Sequence, residues 1–205
     1  MCLIAVATDS RYLVDKDLEL ALRGNMDGFG FMGLIQDSLF AERYAGVAGQ
    51  AQFDDYSALF RERLAYWKSA AQGQIAVHLR QRTSGPCDAA TAHPFPLKTD
   101  YFDGYLMHNG VYRISHLRQM MSQLNVDVVP DKRDSDTGIL VKILEKANLP
   151  PKEQQDFLLA GIRENPFNRL VLWTRGESRP LIYNMDAGMV LDSSRLWYSN
   201  DWYFH

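Results

Sequence analysis

Cysteine is scarce in this sequence, which has two, Cys2 and Cys87, among 205 residues. A dense disulfide framework is therefore excluded, and we expect both thiols to be free. The sequence also lacks Cys-x-x-Cys and His-x-x-x-His spacings, so nothing in it favours a structural zinc site. We expect neither a metal nor an organic cofactor.

Long apolar runs and an excess of charge of one sign are also missing. No stretch approaches the ~18 apolar residues of a membrane span, and the start lacks the basic segment of a secretion signal. The 22 Lys and Arg residues against 25 Asp and Glu give a net charge of −3. Because the basic residues are scattered, no electrostatic footprint for nucleic acid results. We expect a cytoplasmic protein that binds neither membrane nor nucleic acid.

The length and composition suit one globular unit. At 205 residues and 46% hydrophobic content, the chain can bury a full core, and a second catalytic domain would not fit. We therefore expect a single domain over residues 1–205.

Hydrophobic spacing predicts a mixture of strands and helices. A period of two predicts strands and a period of three to four predicts helices. Strands are expected at residues 3–7, 29–35, 39–44, 74–79, 105–112, 169–173, 179–185 and 195–200. Helices are expected at residues 15–23, 53–71, 115–124 with Ser115 as the cap, and 152–163. Another is expected to begin after Asp134-Ser135-Asp136 and to stop before Pro150-Pro151. Strands at both ends, with helices in central blocks, favour α+β architecture with mostly antiparallel sheet over a doubly wound parallel sheet.

The first two residues carry the most specific chemical signal. If Met1 is removed, Cys2 becomes the first residue and carries a thiol and a free α-amino group on one carbon. Pairing a thiol nucleophile with an N-terminal amine is a known form of covalent catalysis. The alternative is that Cys2 is a buried small side chain at the start of the first strand.

Polar residues end two of the predicted strands. Asn109-Gly110 could supply amide donors to an oxyanion, but Asn-Gly is also the strongest hairpin-turn dipeptide. His78 and His108 lie in apolar strand stretches, where a core histidine is the commoner outcome, and they form no clear Cys-His-Asp arrangement.

A free amino acid needs one fixed cation and one fixed anion in its binding site. The planar guanidinium of Arg80 suits a carboxylate. Asp136 could hold an ammonium group, although it could equally serve as a helix cap.

Taken together, the markers resemble the class II glutamine amidotransferase family of N-terminal nucleophile (Ntn) hydrolases. Their order and spacing match the family over roughly residues 2–137. The markers are Met1-Cys2, Asn25-x-Asp27-Gly28-x-Gly30, His78-x-Arg80-x-x-Thr83-x-Gly85, Ala92-His93-Pro94, His108-Asn109-Gly110 and Ser135-Asp136-Thr137.

The resemblance implies a four-layer αββα sandwich of two mostly antiparallel sheets. It implies that Cys2 is the nucleophile and that its own amine is the base, with Asn109 and Gly110 forming the oxyanion hole. The implied substrate-binding residues are Arg80 for the α-carboxylate, Asp136 for the α-ammonium, and Thr83 and His93. The implied reaction releases ammonia from the glutamine side chain through a γ-glutamyl thioester.

The sequence departs from the family pattern around the expected pocket. The departures are Gln81-Arg82 where Trp-Ala is frequent, Ser84 where His is frequent, Thr91 in place of Asn, and Gly138 in place of Glu. They affect the expected lid of the pocket rather than the nucleophile. Arg82 adds a cation that would favour a substrate with an extra carboxylate.

Three functions remain open from the sequence. The favoured one is a stand-alone glutaminase that passes ammonia to a separate synthase partner. A second is a hydrolase of larger γ-glutamyl amides, which needs no ammonia acceptor. The third is a non-catalytic binding domain in which Met1 is retained.

Overall fold

The computed structural model describes residues 2–47, 52–165, 167–183, 189–192 and 195–200, without the side chains of 164 and 189–192. Its helices are α1 (Asp15–Gly24), α2 (Phe53–Ala70), α3 (Ile114–Gln123), α4 (Asp136–Ala147) and α5 (Pro151–Glu164), with a 3-10 turn at Ser10–Tyr12. Its strands are β1 (Leu3–Ala7), β2 (Gly28–Ile35), β3 (Ser38–Ala45), β4 (Ile75–Leu79), β5 (Phe95–Lys98), β6 (Asp103–Asn109), β7 (Arg169–Thr174), β8 (Leu181–Tyr183), β9 (Met189–Asp192) and β10 (Leu196–Tyr198).

Among the described residues the strands form two antiparallel sheets. The first has the order β3-β2-β4-β1-β10-β9, and the second has the order β5-β6-β7-β8. β1 is central in the first sheet and pairs with β4 from Leu3 opposite Leu79 to Ala7 opposite Ile75. This register places the residue before β1, Cys2, beside the residue after β4, Arg80.

The buried side chains define four layers. In β1, Leu3, Ala5 and Ala7 pack with α1 and α2 in one cluster, whereas Ile4 and Val6 pack against the second sheet in another. A third cluster joins the second sheet to α3, α4 and α5. Alternation along one strand therefore separates two apolar interfaces, and the expected αββα sandwich is confirmed.

The sequence of α2 predicts a helix with one buried face, which packs on the first sheet. Residues Phe53, Tyr56, Phe60, Leu64 and Trp67 recur every three or four positions and are all buried. Trp67 stacks on Phe31 of β2 with ring centroids 5.9 Å apart. The aromatic stripe of α2 is therefore core, covering the outer face of the first sheet.

Three sequence predictions of local structure are wrong. Ser115 does not cap α3, which begins at Ile114 after Arg113 and has no side-chain cap. Asn109-Gly110 does not form a hairpin turn, because β6 leads into α3 rather than into another strand. The strand predicted at residues 179–185 is shorter, Leu181–Tyr183, and its last two predicted residues lie outside the described ones.

None of the described helices is long and apolar enough to span a membrane.

Candidate active site

The candidate site lies where β1, β4 and β6 meet the start of α4. One cavity there is lined by six of the residues predicted from the sequence: Cys2, Arg80, Thr83, His93, Gly110 and Asp136. Its other lining residues are Gln81, Ser84, His108, Ser135 and Thr137. Residues far apart in the sequence thus converge because the strand and helix ends lie at the same edge.

The cavity is small. Its volume is about 20 Å³, which is enough for about one water molecule. Two larger cavities, of about 670 and 510 Å³, lie beside α3 and beside α5, and Cys2 lines neither. Of these three cavities, the small one brings together a thiol, a cation and an anion, at Cys2, Arg80 and Asp136.

Cys2 is held by backbone contacts on both sides. Its thiol donates to the carbonyl of Gln81 at 3.2 Å, and the Gln81 N–H donates to Sγ at 3.3 Å. The side-chain amide of Asn200 donates to the Cys2 carbonyl at 2.6 Å. These contacts fix Cys2 between the ends of β4 and β10.

Burial raises the pKa of the Cys2 thiol above its ordinary value of 9.0, and Asp136 adds to the rise. The hydrogen bond from Gln81 and the charge of Arg80 oppose it. The thiol is therefore largely protonated at neutral pH, and a base would be needed to convert it to the reactive thiolate.

Arg80 is a buried cation, with 3% of its surface exposed. Its guanidinium donates to the backbone carbonyls of Asp27 at 3.2 Å, Pro86 at 2.8 Å and Ser84 at 2.7 Å. It forms no ion pair with a carboxylate of the described residues. Two of its five N–H groups, on Nε and Nη2, remain without a described partner, and they can bind an incoming carboxylate.

Asp136 is the buried anion on the opposite wall. It is the first residue of α4, and the preceding Ser135 caps that helix by accepting from the Gly138 N–H. One Asp136 oxygen accepts from the Ser84 hydroxyl at 2.9 Å, and the other accepts from the Tyr112 N–H at 2.8 Å. The alternative role of Asp136 as a helix cap is therefore wrong, because Ser135 caps α4 and the Asp136 side chain lines the cavity.

Asn109 and Gly110 end β6 at the cavity. Gly110 has φ +147, and a Cβ there would lie 2.8 Å from Asn168 Cα and 2.9 Å from His108 Nε2, so only glycine fits. Asn109 is fully buried and does not line the cavity, and its amide donates to Ser199 Oγ at 2.7 Å. The structure thus brings Gly110 into the cavity wall and places Asn109 just behind it.

Three buried histidines lie at the cavity, and two of them, His93 and His108, line it. His108 is hydrogen-bonded through both ring nitrogens, to Thr137 and Asn168, whereas His78 bonds through Nε2 to the His108 carbonyl. Neither nitrogen of His93 has a partner among the described residues, and its ring lies 4.0 Å from that of His78. Burial lowers the pKa of all three, that of His78 to about 3, so the rings are neutral at physiological pH.

Sequence reasoning missed several residues that shape the site. Ser84 was noted only as a departure, yet it contacts both Arg80 and Asp136. Asp27 accepts from the Arg82 N–H at 2.7 Å and from the Cys87 thiol at 2.9 Å, holding the segment that follows β4. The contacts that Gln81, Ser199 and Asn200 make at the site could not be predicted from local sequence patterns, because their partners lie 79, 90 and 198 residues away.

Cys87 is a free thiol, as is Cys2, so both expectations on disulfides are confirmed. Within the described part of the chain, no three His, Cys, Asp or Glu side chains are grouped as metal ligands would be.

Comparison with solved structures identifies the fold. Glutamine phosphoribosylpyrophosphate amidotransferase from B. subtilis, complexed with ADP and GMP, matches the whole chain with a TM-score of 0.60 at 14% identity. A structure described as the allosteric regulatory enzyme of purine biosynthesis matches the whole chain at 0.58 and 15% identity. The chain spans 43% of the length of each.

No protein-family model and no curated protein sequence matches the chain. At this identity the structural likeness shows the fold alone, and it agrees with the two sheets and three apolar interfaces described above. The chain has the fold of the matched part of these two structures, and the four-layer αββα architecture expected from the sequence agrees with it.

Proposed function

We propose that the protein is a glutamine amidohydrolase whose nucleophile is Cys2 after removal of Met1. The observation that carries the proposal is a single cavity in which a thiol, a guanidinium and a carboxylate converge, at Cys2, Arg80 and Asp136. A zwitterionic amino acid needs that pair of opposite charges. The likeness to a structure named as a glutamine amidotransferase supports the same substrate.

In the proposed reaction Arg80 binds the α-carboxylate of glutamine and Asp136 binds its α-ammonium. The freed α-amino group of Cys2 accepts the thiol proton through a water, and Sγ attacks the side-chain amide carbon. The Gly110 N–H and the Asn109 amide stabilise the oxyanion. The C–N bond breaks, ammonia leaves with the transferred proton, and water hydrolyses the thioester to glutamate.

The ammonia would pass to an acceptor on a separate synthase partner. The B. subtilis structure is named as an amidotransferase of phosphoribosylpyrophosphate, and the region matched here is less than half of it. Which acceptor this protein serves is decided by a partner and not by the residues around Cys2.

The test is an intact mass before and after incubation with a diazo-ketone analogue of glutamine, together with ammonia release from glutamine. We expect a starting mass short by one methionine and one adduct on Cys2. Cys2→Ala should abolish both the adduct and the ammonia. A protein that keeps Met1 and stays unlabelled would instead be the non-catalytic binding domain; Met1 itself lies outside the described residues.

One observation favours a second candidate, a hydrolase of larger γ-glutamyl amides. The side chain of Arg82 is exposed on the segment after β4 and makes no ion pair with a described residue. An unpaired guanidinium there could bind the carboxylate of a larger leaving group. Comparing glutamate release from γ-glutamyl peptides and from glutamine, with and without Arg82→Ala, separates the two candidates.

A further inference from the structure

Ser84 contacts both charges of the candidate site. Its hydroxyl donates to Asp136 at 2.9 Å and accepts from the Asp136 N–H at 3.1 Å. Its carbonyl accepts from Arg80 Nη2 at 2.7 Å. Ser84 therefore donates to the carboxylate of Asp136 and accepts from the guanidinium of Arg80. The α-ammonium and the α-carboxylate of an amino acid would make the same two kinds of contact.

The segment that carries Ser84 closes the cavity. Residues 80–94 form no helix or strand, and the space left beneath them, about 20 Å³, is many times too small for glutamine. The Pro86 carbonyl adds a second contact to Arg80 at 2.8 Å. Glutamine can reach Cys2 only if these contacts give way.

Two further contacts hold the segment against the start of α4. Gly85 packs on Ser135 so closely that a Cβ would lie 3.1 to 3.3 Å from its atoms. On the outer side, Arg133 pairs with Asp88 at 2.7 Å, but the Arg133 side chain is 78% exposed. An exposed ion pair adds little stability, so the contacts of Ser84 with buried charges are the stronger part of the closure.

We propose that Ser84 is a built-in competitor of the substrate, which holds the site closed by occupying Asp136 and Arg80 until an amino acid displaces it. This inference rests on the proposed function for the identity of the competing ligand. The ammonium of glutamine replaces the Ser84 hydroxyl on Asp136, and its carboxylate replaces the Ser84 carbonyl on Arg80. No covalent bond changes in this step.

The apparent affinity for glutamine is the intrinsic affinity multiplied by the fraction of molecules in which the site is open. A hydrogen bond between a hydroxyl and a buried carboxylate is worth roughly tenfold or more in an equilibrium constant. Removing it should therefore raise the open fraction about tenfold without changing the groups that bind glutamine.

The experiment measures the second-order rate of Cys2 labelling in the full-length protein with two probes. The diazo-ketone analogue of glutamine reports on the amino-acid site, whereas iodoacetamide reports only on access to the thiol. The variants are Ser84→Ala, which removes the hydroxyl, and Ser84→Thr, which keeps one. Arg133→Ala is a second opening variant that leaves every lining residue in place.

We expect Ser84→Ala to label about tenfold faster with both probes and Ser84→Thr to label at the parent rate. Arg133→Ala should be faster by a smaller factor. Equal or slower labelling of Ser84→Ala with both probes would overturn the inference, and the proposed function would stand if the parent protein still takes the diazo-ketone. Faster labelling of Ser84→Ala by iodoacetamide alone, with no diazo-ketone adduct in any variant, would support the closure and reject the glutaminase proposal.

Discussion

The Ser199 hydroxyl oxygen lies 2.7 Å from the side-chain amide nitrogen of Asn109 and 2.8 Å from the backbone nitrogen of Ile4. Both nitrogens donate to it, so one buried oxygen joins the end of β6 in the second sheet to β1 in the first. Because Ile4 follows Cys2 by two residues, Ser199 fixes the proposed oxyanion donor relative to the proposed nucleophile.

Removing this oxygen should destabilise the fold. Ser199→Ala leaves two buried donors without their acceptor, and each unsatisfied buried group costs about 1–3 kcal/mol. We expect the free energy of unfolding, measured by urea titration, to fall by about 2 kcal/mol. Ser115→Ala, at an exposed position, is the control and should change it by less than about 0.5 kcal/mol. An equally small change for Ser199→Ala would show that Asn109 and Ile4 find other acceptors.

The charge of Asp136 should matter only for substrates that carry an ammonium group. Asp136→Asn keeps the shape but removes the negative charge and one of the two acceptors used by Ser84 and Tyr112. Losing a charged hydrogen bond to the α-ammonium should raise the KM for glutamine about a hundredfold.

The control for Asp136→Asn is the substrate 4-carbamoylbutanoate, which is glutamine without its α-amino group. Its rate of ammonia release should be nearly the same in the parent and in Asp136→Asn. If both substrates lose activity equally, Asp136 supports the local fold rather than the ammonium.

The pH dependence of Cys2 alkylation should follow its raised pKa. Burial is the largest cause of the rise, and the thiolate fraction falls about tenfold for each pH unit below the pKa. We expect the iodoacetamide rate to increase from pH 7 through pH 9 without a plateau. Cys87→Ser removes the second thiol and keeps a donor to Asp27. A plateau below pH 8 would mean that the site lowers the pKa of Cys2.

The spacing of apolar residues was enough to predict most of the helices and strands, and the exceptions have physical causes. The period of α2 comes from its one buried face, so the sequence carries it directly. The predicted strands missed β5, which contains Pro96. Proline cannot donate to a neighbouring strand, but β5 lies at the edge of its sheet, where that donor is not needed.

The site was predictable in its residue types but not in its contacts. Arg80, Asp136 and Gly110 could be singled out because each follows a strand or begins a helix. The contact of Ser84 with Asp136 spans 52 residues, and no local pattern contains such a pair. The contact of Ser84 with Asp136 and the small volume of the cavity could therefore be learned only from the three-dimensional structure.

The three buried histidines should make the protein less stable in mild acid. The pKa of His78 is lowered to about 3 by burial, and those of His93 and His108 are also lowered. In the unfolded chain the imidazoles take up protons as the pH falls below about 6.5, whereas the folded rings stay neutral. Unfolding is therefore favoured progressively below pH 6.5, by about 2 kcal/mol at pH 5 for His78, and the lowered pKa values of His93 and His108 act in the same direction.

His93→Phe isolates one of these contributions. The His93 ring packs 4.0 Å from His78 and 4.9 Å from Phe95 and makes no hydrogen bond to a described residue, so a phenyl ring can replace it without loss of a partner. We expect equal or higher stability at pH 7 and a drop in the free energy of unfolding between pH 7 and pH 5 that is smaller than in the parent. Met107→Leu, a neutral change at a fully buried position between the sheets, should leave the pH dependence unchanged. If His93→Phe keeps the full drop, His93 takes up its proton in the folded state, and the imidazole is not held neutral by burial.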